Sequence, residues 1–124
     1  MTLRDILDND LIERIRNHNE KEVNPESSRF SSDADLTLFH KWAYKVEKGW
    51  YGFDLGNKVP YCWVLAIDKV LKKIEELDPE FTIQQIKLKY GQLCFYIDYN
   101  KNIDEINQLA KELLELCCSR HLIY

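Results

Sequence analysis

Apolar residues return at every fourth position at the start of the chain. Leu3, Leu7, Leu11 and Ile15 share one side of a 3.6-residue period, which predicts an amphipathic helix over about 3–18. Thr2 and Asp5 stand three apart at its entry, as a capping box requires, with Asp in place of the usual Glu. The stretch 22–33, "EVNPESSRFSSD", has the Pro and Ser density of a loop. A second helix is predicted over 34–48. Leu36, Phe39, Ala43 and Val46 form its stripe, Leu38 and Trp42 widen it, and Gly49 is placed as its stop. Then "GWYGFDLGNKVP", 49–60, carries three of the chain's four glycines and predicts an irregular connection. A third strand of the sheet fits within 51–59, near Phe53–Leu55.

Pro60 suits the first turn of a third helix, predicted over 61–77. Its first half, "YCWVLAI", is apolar on all sides. Its second half is one-sided, with Val70, Leu71, Ile74 and Leu77 against lysines and glutamates. A helix of this kind is buried on several faces at one end, so it is expected at the centre of the core. Pro79 disfavours helix at Asp78 and ends it there.

The period then changes from 3.6 to 2. In "IKLKYGQLCFYID", 86–98, Gly91 and Gln92 as the loop of a type II′ hairpin would pair Tyr90 with Leu93, Leu88 with Phe95 and Ile86 with Ile97. These six share one face, and Lys87, Lys89, Cys94 and Tyr96 share the other. Phe81 and Ile83 are out of phase with Ile86, so a bulge is expected near Gln84–Gln85. Asn102 is placed to cap a last helix running to about Arg120. Ile103, Ile106, Ala110, Leu113 and Cys117 form its buried stripe, and "HLIY" after it is apolar enough to dock. The expected fold is α+β: about four helices packed on a small antiparallel sheet built from a hairpin at 81–98. Residues 1–124 form one domain, a length that buries roughly two thirds of the unfolded surface without metal or disulfide.

Composition narrows the function classes. The net charge is −4, and residues 1–35 hold nine acids against five bases, whereas the rest is balanced. An acidic N-terminal quarter favours a basic protein as partner over nucleic acid. No run approaches the ~20 apolar residues of a membrane helix, and the N-terminus does not resemble a signal peptide, so a cytoplasmic location is expected. Cys62, Cys94, Cys117 and Cys118 show neither C-x-x-C nor zinc spacing, and free thiols are expected. No metal or other cofactor is expected. His18, His40 and His121 stand in no motif with a nucleophile or second ligand, and His40 is expected to flank the core. Glu75, Glu76, Asp78 and Glu80 read as a solvated charge run at a helix end rather than a catalytic pair. Lys87 and Lys89 with Tyr96 have the residue types of a nucleic-acid face, yet two lysines on an acidic chain make a weak one. Trp50 and Tyr51 either pin the Gly-rich connection to the core, the reading preferred here, or anchor a partner.

"KGWYGFDLG", the apolar helix ending "LKKIEELDPEF", and "TIQQIKLKYGQLCFYID" resemble a little-characterised family of small bacterial and phage proteins. Its members carry a GWY segment followed by a K-x-K-[FY]-G-x-L-x-[FY]-Y hairpin. Lys87, Lys89, Tyr90, Gly91, Leu93, Phe95 and Tyr96 carry the likeness, and Cys94 stands where the family often has Arg. In overall type the chain is similar to the immunity proteins of bacterial toxin systems, which implies a monomer or weak dimer that binds and occludes a basic toxin and catalyses nothing. The contact residues expected from charge and aromatic content are Asp5, Glu13, Trp50, Tyr51, Glu75, Glu76, Asp78, Glu80, Lys87, Lys89 and Tyr96. The alternative is a phage-derived or accessory protein that touches nucleic acid through Lys87, Lys89 and Tyr96.

Overall fold

The computed structural model describes residues 1–20, 34–55, 59–89 and 92–118. It is an α+β fold in which four α-helices pack on a three-stranded mixed sheet. The helices are α1 (Asn9–Glu20), α2 (Ala34–Trp42), α3 (Tyr61–Leu77) and α4 (Ile103–Leu116), and the strands are β1 (Gly52–Asp54), β2 (Thr82–Lys89) and β3 (Gln92–Asp98). None of the described helices is long and apolar enough to cross a membrane.

The helix α3 lies at the centre, as its all-round apolar first half requires. Cys62, Trp63, Val64, Ala66, Ile67, Val70, Leu71 and Ile74 are all buried along it. It packs against α1, α2 and α4, so three neighbours cover its faces. Because α3 joins β1 to β2, the chain returns to the sheet in the direction it left, and β1 pairs with β2 in parallel. The sheet is therefore mixed, not antiparallel throughout, and the strand expected within 51–59 is the short edge strand Gly52–Asp54.

The first predicted helix is two pieces. A single 3-10 turn spans Leu3–Asp5 under the expected Thr2/Asp5 capping box, and α1 begins afresh at Asn9. Asp8 causes the break, since its carboxylate accepts the Leu11 N–H at 2.7 Å, a capping bond that competes with helix continuation. Leu3, Leu7, Leu11 and Ile15 are nevertheless all buried.

The second helix also stops early, at Trp42, followed by a 3-10 turn at Ala43–Lys45. Val46 is drawn into a parallel bridge with Ile83, and the Glu47 N–H donates to the Ile83 carbonyl at 2.8 Å. Strand pairing thus ends the helix before Gly49 is reached. The buried face is also not the predicted stripe. Leu38 and Trp42 go inward, where the Trp42 indole donates to Asp68 at 3.0 Å, while Phe39 and Ala43 are exposed. His40 is exposed beside Phe39 rather than set against the core.

The hairpin forms in a register two residues from the predicted one. Leu88 pairs with Leu93, Ile86 with Phe95 and Lys89 with Gln92, so Gln92 belongs to β3 and not to the loop. A shift of two preserves the faces, and Ile86 and Leu93 are buried as expected. The bulge falls between Ile83 and Gln85 and brings Ile83 into phase opposite Ile97. Tyr90 and Gly91 lie outside the described residues. Asn102 does precede α4, but in the left-handed region at φ 51°, with its side-chain amide donating to the Leu77 carbonyl at 2.6 Å rather than capping its own helix. Ile106, Leu109 and Leu113 carry the buried face of α4, and Ile103 is 48 % exposed, outside the stripe assigned to it. The helix ends at Leu116, because Cys117 and Cys118 turn onto the start of β3: the Leu93 N–H donates to the Cys117 carbonyl and Gln92 bridges Cys118. The last helix therefore stops short of the expected end near Arg120, and the docking of "HLIY" falls on residues outside the described ones.

Candidate functional site

The sheet edge carries an extruded loop. Val46 pairs with Ile83 and Gly52 with Gln85, only two positions on, so residues 48–51 have no place in the ladder and bulge outward. The loop is closed at three points. The Gln84 amide donates to the Glu47 carboxylate at 3.2 Å, the Trp50 N–H donates to the Glu47 carbonyl at 3.0 Å, and Gly52 closes it at φ 79°. A Cβ on Gly52 would sit 2.9 Å from Cγ2 of Val46 and 3.7 Å from the Phe39 ring. Gly49, at φ 92°, has nothing within 4 Å of where a Cβ would lie. Gly52→Ala is therefore expected to cost more than 1 kcal/mol, and Gly49→Ala less, since the second bears only the backbone strain. Urea titration of both variants checks the order, and equal losses would mean that the closure at Val46 is not tight.

Trp50 and Tyr51 ride on this loop, 48 % and 78 % exposed. The expectation that they pin the connection to the core is overturned: Phe53 and Leu55, just after them, are the residues that turn inward. Phe39 and Tyr44 are also exposed, so the segment from α2 to β1 presents four aromatic side chains to solvent. Tyr44 stacks on Trp42 with ring centroids 6.0 Å apart, and its hydroxyl donates to Glu75 at 2.5 Å. That bond to a carboxylate pushes the Tyr44 phenol up to about 12, so it remains a neutral donor. Lys45 reaches the Pro79 carbonyl and lies 4.8 Å from the centre of the Phe81 ring. Phe39 was assigned by sequence to the buried stripe of a longer α2, and Tyr44 was given no role in a site.

The acids assigned to a binding surface are dispersed. Asp5 is spent on its capping box, where the Thr2 N–H donates to it at 2.7 Å and holds its carboxyl below the usual range. Glu13 stands 3.8 Å from Arg16 on the exposed side of α1. Glu76 pairs with Lys73 at 3.0 Å, Glu75 holds Tyr44, and Glu80 is exposed. Asp78 departs from the solvated run: it is 1 % exposed and its carboxylate accepts the backbone N–H groups of Glu80, Asn100 and Lys101. A side chain so enclosed cannot touch a partner. The run was legible as charge, but the loop that closes over Asp78 lies more than twenty residues along the chain.

On the outer face of the sheet Lys87 and Tyr96 do meet, with the ammonium 5.8 Å from the ring centre. Asp54 is the register partner of Lys87 on β1, and Lys89, which is exposed, pairs with Gln92 on β3. A lysine laid over its neighbouring ring with an aspartate alongside is an amphipathic outer face rather than a phosphate track. The four thiols are free; burial raises the Cys62 thiol and raises the Cys117 thiol well above its usual range, which keeps both protonated and poor as nucleophiles. Among the described residues no group of three His, Cys, Asp or Glu side chains is arranged to hold a metal ion. His121 lies outside them. The chain matches no protein-family model, no curated protein and no solved structure.

Proposed function

We propose that this chain is a cytoplasmic protein-binding module that acts by occlusion, as an immunity protein covers its toxin, and that it performs no reaction of its own. The observation that carries this reading is the closed loop at 48–51, which holds Trp50 and Tyr51 out in solvent. Exposing large aromatic side chains forgoes their burial energy, and such residues are the usual anchors of protein interfaces. Pre-closure of the loop lowers the ordering cost of binding. The net charge of −4 selects a basic partner and speeds the encounter.

The test is growth rescue by co-expression with a toxin encoded beside this chain, followed by affinity measurement. Trp50→Ala with Tyr51→Ala is expected to leave the fold intact, by circular dichroism and melting, and to weaken toxin binding by 2 kcal/mol or more, roughly 30-fold. Rescue that survives the double substitution would rule out this loop as the anchor. Failure of the parent chain to rescue growth would rule out the immunity reading.

A further inference from the structure

The 3-10 turn, α1 and the end of α4 line a half-open cavity of about 500 Å³. That volume falls within the range of small-molecule sites. Its apolar lining is Leu3, Ile12 and Leu116. Its charged lining is of both signs: Arg4 and Arg16 from the N-terminal side, Glu112 and Glu115 from α4. Glu112 is already engaged, accepting the Leu3 N–H at 2.5 Å and the Gln108 amide at 3.0 Å. The other three are not paired across the cavity. Among the described residues Arg4 and Glu115 form no ion pair, and Arg16 has only its 3.8 Å contact with Glu13.

Two guanidinium groups suit a carboxylate, which they bind through paired N–H donors. Two glutamates on the same cavity disfavour a ligand that is only anionic, and the unengaged Glu115 suits an ammonium. Leu3, Ile12 and Leu116 on the same lining suit aliphatic or aromatic side chains. We propose that this cavity binds a small apolar zwitterion of the amino-acid class, the size of a hydrophobic dipeptide, with its carboxylate on Arg4 and Arg16 and its ammonium on Glu115. The site shares no residue with the aromatic loop, so it is independent of the occlusion reading.

Titration calorimetry and melting with leucyl-leucine and phenylalanyl-leucine test it on the full chain. The free dipeptides are expected to bind with Kd below about 1 mM and to raise the melting temperature with concentration. N-acetylation or C-terminal amidation is expected to weaken binding by about tenfold each. Arg4→Gln with Arg16→Gln removes exposed side chains, so the unliganded melt is unchanged while the dipeptide affinity is lost. Glu115→Gln weakens the free dipeptide and leaves the N-acetylated one as it was. Absence of heat and of any melting shift at about 10 mM ligand overturns the proposal. So does an acetylated dipeptide that binds as tightly as the free one, or a Glu115→Gln protein with unchanged affinity.

Discussion

Trp63→Ala is expected to destabilise the fold by about 3–5 kcal/mol, a large share of the ~5–15 kcal/mol available to a domain of this size. Trp63 is fully buried in the first turns of α3, the helix against which α1, α2 and α4 all pack. Truncation there opens a cavity in the core around α3, and the melting temperature is expected to fall by about 10–20 °C. The indole also carries a penalty, for its Nε1 has no hydrogen-bond partner among the described residues although it is shielded from solvent. A buried donor without an acceptor costs about 1–3 kcal/mol. Trp63→Phe removes that donor with part of the ring, so the two effects oppose one another and the net loss is expected to stay within about 1 kcal/mol. Trp42→Phe is the control. Trp42 is also buried, but its indole donates to Asp68, a carboxylate that Lys41 approaches to 2.9 Å. Removing that donor takes away a charge-assisted bond, so Trp42→Phe is expected to cost more than Trp63→Phe by about 1 kcal/mol or more. Urea midpoints of the four proteins give the order, and the opposite order would show that the Trp63 N–H finds an acceptor in solution.

Asp78 is expected to govern the acid limb of stability. The N–H groups of Asn100, Glu80 and Lys101 bond its carboxylate at 2.8, 3.0 and 3.2 Å, and these bonds, that of Asn100 foremost, hold its carboxyl below the usual range. The folded state therefore favours the charged form. Its contribution is complete above the ordinary aspartate value of about 3.9 and is lost as pH falls through the lower folded value. Asp78→Asn keeps the shape but turns an amide donor toward backbone donors. That variant is expected to be less stable at neutral pH and to lose less on acidification, so the two curves converge in acid. Asp5 is also held low, by the Thr2 N–H, and Asp5→Asn reports its separate share. Denaturation midpoints from pH 7 to pH 2 decide the matter: parallel curves for the parent and Asp78→Asn would mean that the backbone cradle does not depend on charge. The position has this leverage because it joins the exit of α3 to the turn between β3 and α4, a junction the Asn102 amide reinforces at Leu77.

What could be read along the chain was whatever depended on near neighbours. The span of α3 follows from its apolar run, Pro60 and Pro79; the bulge follows from Ile83 and Ile86 being out of phase; the capping box follows from Thr2 and Asp5. Each is decided within a few residues, where backbone period and local hydrogen bonding dominate. The same short range explains why the break at Asp8 was missed, since both Thr2 and Asp8 are competent caps and periodicity alone cannot choose between them.

The sites were decided elsewhere. Trp50 and Tyr51 face solvent because Val46 and Gly52 pair with β2 two positions apart, and that pairing exists only once α3 has carried the chain back to the sheet. Asp78 is buried because Asn100 and Lys101 close over it from across the hairpin. The cavity under the N-terminal turn needs Glu112 to reach Leu3, at opposite ends of the chain. Sequence by itself determined the order of the helices, the strand faces and the α+β class, because local periodicity sets them. Only the tertiary structure decided which charges are enclosed and which aromatics stay outside, because burial depends on residues that meet solely when the chain is folded.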